Sequence, residues 1–178
     1  VEVDDPRLVR VVRACRDVPG YALFQYVEED GTRSAVDSGD VNEYLREISG
    51  ETFTAKDFRT WAGTMDAAAY LRECGAAKNK KEAERIVVRA VDHTAKRLGN
   101  TRAVCRKYYV HPALLDAYLD GEVLPPMPPR KGQQPRRPGG KLRRHEEQVL
   151  NFLKARIAKQ RSGDEPTTAP APEPSQAA

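Results

Sequence analysis

Cysteine is scarce in this sequence: Cys15, Cys74 and Cys105 are the only three in 178 residues. They are odd in number, far apart and free of any C-x-x-C pairing, which excludes a disulfide framework and a cysteine-held zinc site. The expectation is a reducing, cytoplasmic setting. Long apolar runs are lacking too. No stretch approaches the roughly 18 consecutive apolar residues of a membrane span, so a membrane is not among the expected partners. Acidic clusters at metal-ligating spacing are missing, so two-metal phosphate chemistry finds no support and neither a metal nor another cofactor is expected. Aromatic residues make up 7% of the chain. Against that thin background the adjacent Tyr108 and Tyr109 stand out, set between a basic cluster and a His-Pro in "GNTRAVCRKYYVHP".

What the sequence has is charge, unevenly placed. Residues 1–51 carry 6 Lys and Arg against 12 Asp and Glu, residues 52–121 carry 13 against 8, and residues 122–178 carry 11 against 6. Everything after residue 51 therefore sums to +10 within a chain of +4. That balance suits a polyanion bound through neutralised phosphates and released counterions, although a solvated basic face would look the same. The opening "VEVDDP" alternates apolar and acidic residues without a leading methionine and reads like the last strand of something upstream, so a fragment is expected.

Capping signals and apolar spacing divide the chain. Asp5 and Pro6 open a helix that ends near "DVPG". "YALFQYV" and the acidic "EEDGTRS" read as a short strand or extended piece with a turn. Ser38 is expected to cap a helix whose Val41, Tyr44, Leu45 and Ile48 form one apolar stripe, closed by Gly50. Thr54 to Asp57 has the capping-box form, and Phe58, Trp61, Met65, Ala69 and Leu71 follow on a helix to about Cys74. Asn79 starts another with Ile86, Val87, Ala90, Val91 and Leu98 inward and Gly99 at its end. Thr101 begins a short helix through the tyrosines. Pro112 begins one more, with Leu114, Leu115, Tyr118 and Leu119, which stops at Gly121. The expected fold is mainly α with a short β segment near the N-terminus. The organisation expected is a folded helical domain over 1–121, a Pro/Gly-rich basic linker over 122–140, a terminal helix over 141–161 with Val149, Leu150, Leu153 and Ile157 on one face, and a disordered tail over 162–178.

The residues able to carry chemistry are basic and spread over separate helices: Arg59, then Lys96, Arg97, Arg102, Arg106 and Lys107 around the tyrosines. A phenol of pKa about 10 is ionised in only about one molecule in a thousand at neutral pH, so attack on a phosphate needs nearby cations or a base. Arginine forks meet phosphoryl oxygens bidentately and hold the charge of the pentacoordinate transition state, a contact worth roughly 3 to 4 kcal/mol. A metal-free nucleophilic tyrosine fits these residues.

"ETFTAKDFRTWAGT", Glu51 to Thr64, and "RLGNTRAVCRKYYVHP", Arg97 to Pro112, resemble the two signature stretches in the catalytic domain of type IB DNA topoisomerases of the small bacterial and poxvirus kind. "DVPGYALFQYVEEDG" and "SGDVNEYLREISG" are similar to that family as well, so the resemblance covers residues 1–121. It implies the helical fold shared with tyrosine recombinases and an enzyme needing neither ATP nor metal. Such an enzyme nicks one strand of double-stranded DNA through a 3′-phosphotyrosyl bond, lets the strand rotate and religates it, as a monomer associated with the cytoplasmic nucleoid. Carried over position by position, Tyr109 takes the nucleophile's place and Arg59 that of one transition-state arginine. Asn100 stands where many members have His and would donate to a non-bridging oxygen without titrating. Lys56, Arg102, Arg106, Lys107 and Tyr108 are the expected DNA contacts. The second arginine and the general-acid lysine of the family pattern match nothing here, so the chain alone is expected to be severely impaired.

The plainer readings are kept beside these. Tyr118 and Trp61 read as core, and His93, His111 and His145 as non-catalytic. Cys105 reads as a small buried side chain or, where relatives often carry Ser, as a contact to a backbone phosphate. A tyrosine recombinase would show His-x-x-Arg and Leu-Gly-His, where this chain has Lys56-x-x-Arg59 and Leu98-Gly99-Asn100. A non-catalytic DNA-binding module is the alternative from another class.

Overall fold

The computed structural model describes residues 5–126 and 142–163; most of the expected linker and tail lie outside them. The elements in chain order are α1 (Pro6–Arg16), β1 (Gln25–Val27), β2 (Arg33–Ala35), α2 (Ser38–Ser49), α3 (Ala55–Cys74), α4 (Lys80–Leu98), α5 (Arg102–Tyr108), α6 (Pro112–Leu119) and α7 (Arg144–Gly163). The mainly α expectation holds. Among the described residues no helix is long and apolar enough to cross a membrane. Packing divides the chain into a unit ending at Phe58 and one beginning at Arg59.

In the first unit, Asp5 caps α1 by accepting from the Arg7 N–H at 2.8 Å and from its guanidinium, with Pro6 at the position where a missing N–H costs nothing. The Arg7 side-chain contact, then its backbone N–H, hold the Asp5 carboxyl down at about 2. β1 and β2 pair antiparallel with Tyr26 opposite Ser34, and Gly31 at φ 84° supplies the turn between them. The cap of α2 is Asp37, one residue before the expected Ser38. Its carboxylate accepts from Gly39 and Asp40 while the Asp40 carboxylate accepts from the Asp37 N–H, a reciprocal box that a hydroxyl at position 38 does not replace. The apolar stripe of α2 is not core: Val41, Tyr44 and Ile48 are exposed, and none of residues 5–58 is buried.

The core lies in the second unit. Ile86, Val87, Ala90 and Val91 of α4 are buried as their spacing predicts, with Leu114, Leu115 and Tyr118 of α6 and Val149 and Leu153 of α7. The Tyr118 hydroxyl donates to the Gly75 carbonyl at 2.7 Å, so its polar tip is satisfied inside. The Arg156 guanidinium on α7 pairs with Asp120 and Glu122 just beyond α6, and Lys159 joins Glu122 at 3.1 Å. The buried face of α3 differs from the expected one. Gly63, Thr64, Ala67, Ala68 and Leu71 are buried, while Trp61 and Met65 pack partly against the core and Phe58 is exposed. Small side chains are what a close approach of backbones requires, and apolarity alone points to the larger residues instead.

A candidate active site on three helices

α3, the end of α4 and the end of α5 bring the proposed residues of the second unit together. Gly99, at φ 67°, terminates α4 with its N–H bonded to the Ala95 and Lys96 carbonyls, and Thr101 caps α5 two residues later. This tight stop leaves the Leu98 carbonyl without an in-helix partner. Two side chains supply one: Arg59 Nη2 and Asn100 Nδ2 each donate to the Leu98 oxygen at 3.0 Å. The donors expected to share a phosphate thus already converge on a single oxygen. The Arg59 guanidinium carbon also lies 4.7 Å from the centroid of the Tyr109 ring, placing a fixed positive charge against the phenol. Tyr109 is half-buried at the C-cap of α5, its N–H bonded to the Cys105 carbonyl.

α3 also grips the backbone on both sides of Tyr109. The Thr60 hydroxyl donates to the Tyr108 carbonyl at 3.1 Å, and the buried Thr64 hydroxyl accepts from the His111 N–H at 3.0 Å. Between them, a Cβ on Gly63 would stand 2.3 Å from the Tyr109 carbonyl oxygen. Only glycine allows this approach. Thr60, Gly63 and Thr64 were not singled out from the sequence, although the "RTWAGT" run of hydroxyl and small residues one turn beyond Arg59 is their signal. Asp66 was missed as well. Its carboxylate accepts from the Thr94 hydroxyl at 2.9 Å and from Arg97, with His93 Nε2 at 3.6 Å, and so joins α3 to the last turns of α4. Arg97, expected as a basic flank, is thereby committed.

The remaining expected residues fall in different places. Arg106 is exposed on α5, and Tyr108 is 43% exposed with the Lys107 ammonium 5.0 Å from its ring centroid. Arg102 pairs through Nε with Asp92 at 2.5 Å. Lys56 is exposed in the first turn of α3, within the first unit. Cys105 is the small buried side chain of the plainer reading, and its alternative role falls away. It is 0% exposed, so its thiol makes no contact with a DNA phosphate. Burial, then the charge of Asp66, push that thiol's pKa up. His111 Nδ1 accepts from the Ala113 N–H at 3.2 Å as the cap of α6, a structural task.

This geometry agrees with the comparisons to known proteins. The family described as eukaryotic DNA topoisomerase I, catalytic core, matches residues 1–121. The DNA topoisomerase 1B of Acanthamoeba polyphaga mimivirus is 34% identical over 114 residues, a match covering 60% of this chain and 34% of the viral protein. The chain thus spans about a third of the length of that relative. With well over half of its residues inside the catalytic core, and with Arg59, Asn100 and Tyr109 gathered at one place, the chain belongs to the type IB DNA topoisomerase family.

Proposed function

We propose that Tyr109 is the nucleophile of an enzyme that nicks one DNA strand, lets it rotate and reseals it, relaxing supercoils without ATP or metal. Its hydroxyl oxygen attacks a backbone phosphorus and gives its proton to water, forming a 3′-phosphotyrosyl bond as the bond to the 5′ oxygen breaks and that oxygen takes up a proton. The free 5′-hydroxyl later attacks the same phosphorus, expels Tyr109 and restores the strand. Arg59 and Asn100 hold the non-bridging oxygens, whose charge grows as phosphorus becomes pentacoordinate. The observation that carries this reading is the convergence of both donors on one oxygen, with the Arg59 guanidinium against the Tyr109 ring.

The substrate is duplex DNA, bound by a monomer in the cytoplasm, with Lys56, Arg106, Lys107 and Tyr108 contacting the backbone. Arg102 joins them when phosphate displaces Asp92. Departure of the 5′ oxygen needs a proton, and a missing general acid costs about 10²- to 10⁴-fold in rate. The isolated chain is therefore expected to cleave slowly.

A suicide duplex that loses its 5′ fragment on cleavage tests the proposal, using protein expressed from the complete reading frame. A covalent protein–DNA adduct should form and should vanish in Tyr109→Phe. An undiminished adduct in that variant refutes the assignment. Relaxation of plasmids regardless of sequence separates a topoisomerase from a recombinase.

A further inference from the structure

Two turns along α3 from Arg59, a carboxylate meets the same end of α4. Seven residues are nearly two full helical turns, so Arg59 and Asp66 lie on one face of α3. That face holds the close of α4 at three positions. One Asp66 oxygen accepts from the Thr94 hydroxyl at 2.9 Å and the other from Arg97 Nη1 at 2.5 Å, while Arg59 donates to the Leu98 carbonyl. His93 Nε2, 3.6 Å from the same carboxylate, is beyond hydrogen-bond range and adds little.

Helix stability does not explain this carboxylate. The Asp66 side chain is 13% exposed, the next two residues, Ala67 and Ala68, are wholly buried, and a negative charge beside the last turns of α4 stands at the end of the dipole that disfavours it. A threonine inside a helix can place its hydroxyl on the carbonyl four residues back. Thr94 sends it to α3. What these contacts secure is position, because both carboxylate oxygens are committed to the turn that ends in Leu98. The Leu98 oxygen is in turn shared by Arg59 Nη2 and Asn100 Nδ2, so a movement of that one atom moves both donors. We propose that Asp66 is a positioning residue for strand cleavage: by holding Thr94 and Arg97 it sets where the Leu98 carbonyl stands, and through that oxygen the poses of Arg59 and Asn100. The inference rests on the reading of those two side chains as the donors to the phosphate. Asp66 acts through the carbonyl and not on the substrate.

The test times a single turnover, with protein expressed from the complete reading frame in excess over a suicide duplex. Asp66→Asn keeps an acceptor for Thr94 but loses the charge that holds Arg97, and should slow adduct formation about tenfold; Asp66→Leu loses both and should slow it about 10²-fold. Duplex affinity should stay at the parental value. Where Asp66→Leu does not fold, Asp66→Asn carries the test. A merely structural role would lower the fraction of active protein and leave the rate constant of the remainder unchanged. Two further readouts belong to positioning alone. In an Asn100→Ala background one of the two oriented donors is gone, so adding Asp66→Asn should cost about threefold instead of tenfold. In the ¹⁵N-labelled Asp66→Asn protein the Asn100 side-chain amide resonances should shift, with no cleavage required. Parental rate constants in the Asp66 variants, an undiminished tenfold cost beside Asn100→Ala, or Asn100 resonances that stay in place overturn the proposal. If the parent forms no adduct, or Tyr109→Phe forms it undiminished, the topoisomerase reading fails by itself, and the amide resonances still decide whether Asp66 sets the pose of Asn100.

Discussion

Replacing Gly63 by alanine puts the grip of α3 on the nucleophile to a direct test, because two effects of known sign oppose each other. In a helix interior, Gly→Ala is worth about 1 kcal/mol of stabilisation from propensity alone. Here the added Cβ would meet the Tyr109 carbonyl oxygen at 2.3 Å and Leu98 Cδ1 at 3.1 Å. The Leu98 methyl can rotate aside. The carbonyl is main chain and must retreat by about 1 Å to reach ordinary contact, a strain of the kind that costs about 1–3 kcal/mol in a packed interior. Retreat also stretches the Thr60–Tyr108 and Thr64–His111 hydrogen bonds, each worth about 1 kcal/mol. The balance is a net loss of about 2 kcal/mol, read as a fall of roughly 4–8 °C in Tm for a chain of this size. In a suicide-substrate assay the same displacement should slow adduct formation by about 10²-fold while DNA affinity stays unchanged, since no cation has moved. A Gly63→Ala protein that melts higher than the parent and forms adduct at the parental rate would refute the grip and the positioning argument with it.

Other variants probe the remaining contacts. Arg59→Lys keeps the charge but loses the fork, and adduct formation should fall about 10²- to 10³-fold in single-turnover cleavage. Asn100→His should retain cleavage but acquire a dependence on pH near 6.5, absent from the parent, in a rate profile between pH 5 and 8. Thiol titration of the native chain should label the exposed Cys74 at once and Cys105 only after denaturant is added, because burial keeps Cys105 inaccessible and protonated. Asp5 is lowered from 3.8 to about 2 on folding; a depressed carboxyl stabilises above its unfolded value and loses that contribution as pH falls through its folded one. Circular dichroism from α1 should therefore weaken between about pH 4 and pH 2, and Asp5→Asn should flatten that change.

Much of this was legible before any coordinates, and the reasons are local. Pro6, Asn79, Gly99, Thr101 and Pro112 mark helix ends because a cap is chosen by its own few backbone neighbours. Arg59, Asn100 and Tyr109 are grouped by motif order alone, and Arg59 meets both the Leu98 carbonyl that Asn100 also holds and the Tyr109 ring. The need for glycine at position 63 was harder to read, because it is set by the Tyr109 carbonyl, far along the chain. Asp37 displaced Ser38 because a reciprocal pair of carboxylates outcompetes one hydroxyl. The stripe on α2 shows the converse limit: periodicity reveals that a face is apolar and says nothing about what would cover it.

The Leu98 carbonyl has one more consequence. As the last carbonyl of a nineteen-residue helix it carries part of the negative end of the helix dipole, and it holds Arg59 and Asn100 in the poses that a phosphate oxygen would ask of them. On the proposed reading the protein supplies its own decoy acceptor. Donors occupied in this way lose little order when DNA arrives, so the entropic cost of aligning them is met during folding. The decoy also sets a threshold: a dilute chloride or carboxylate must displace a neighbour held permanently in place, and a phosphodiester delivered by many backbone contacts can do so.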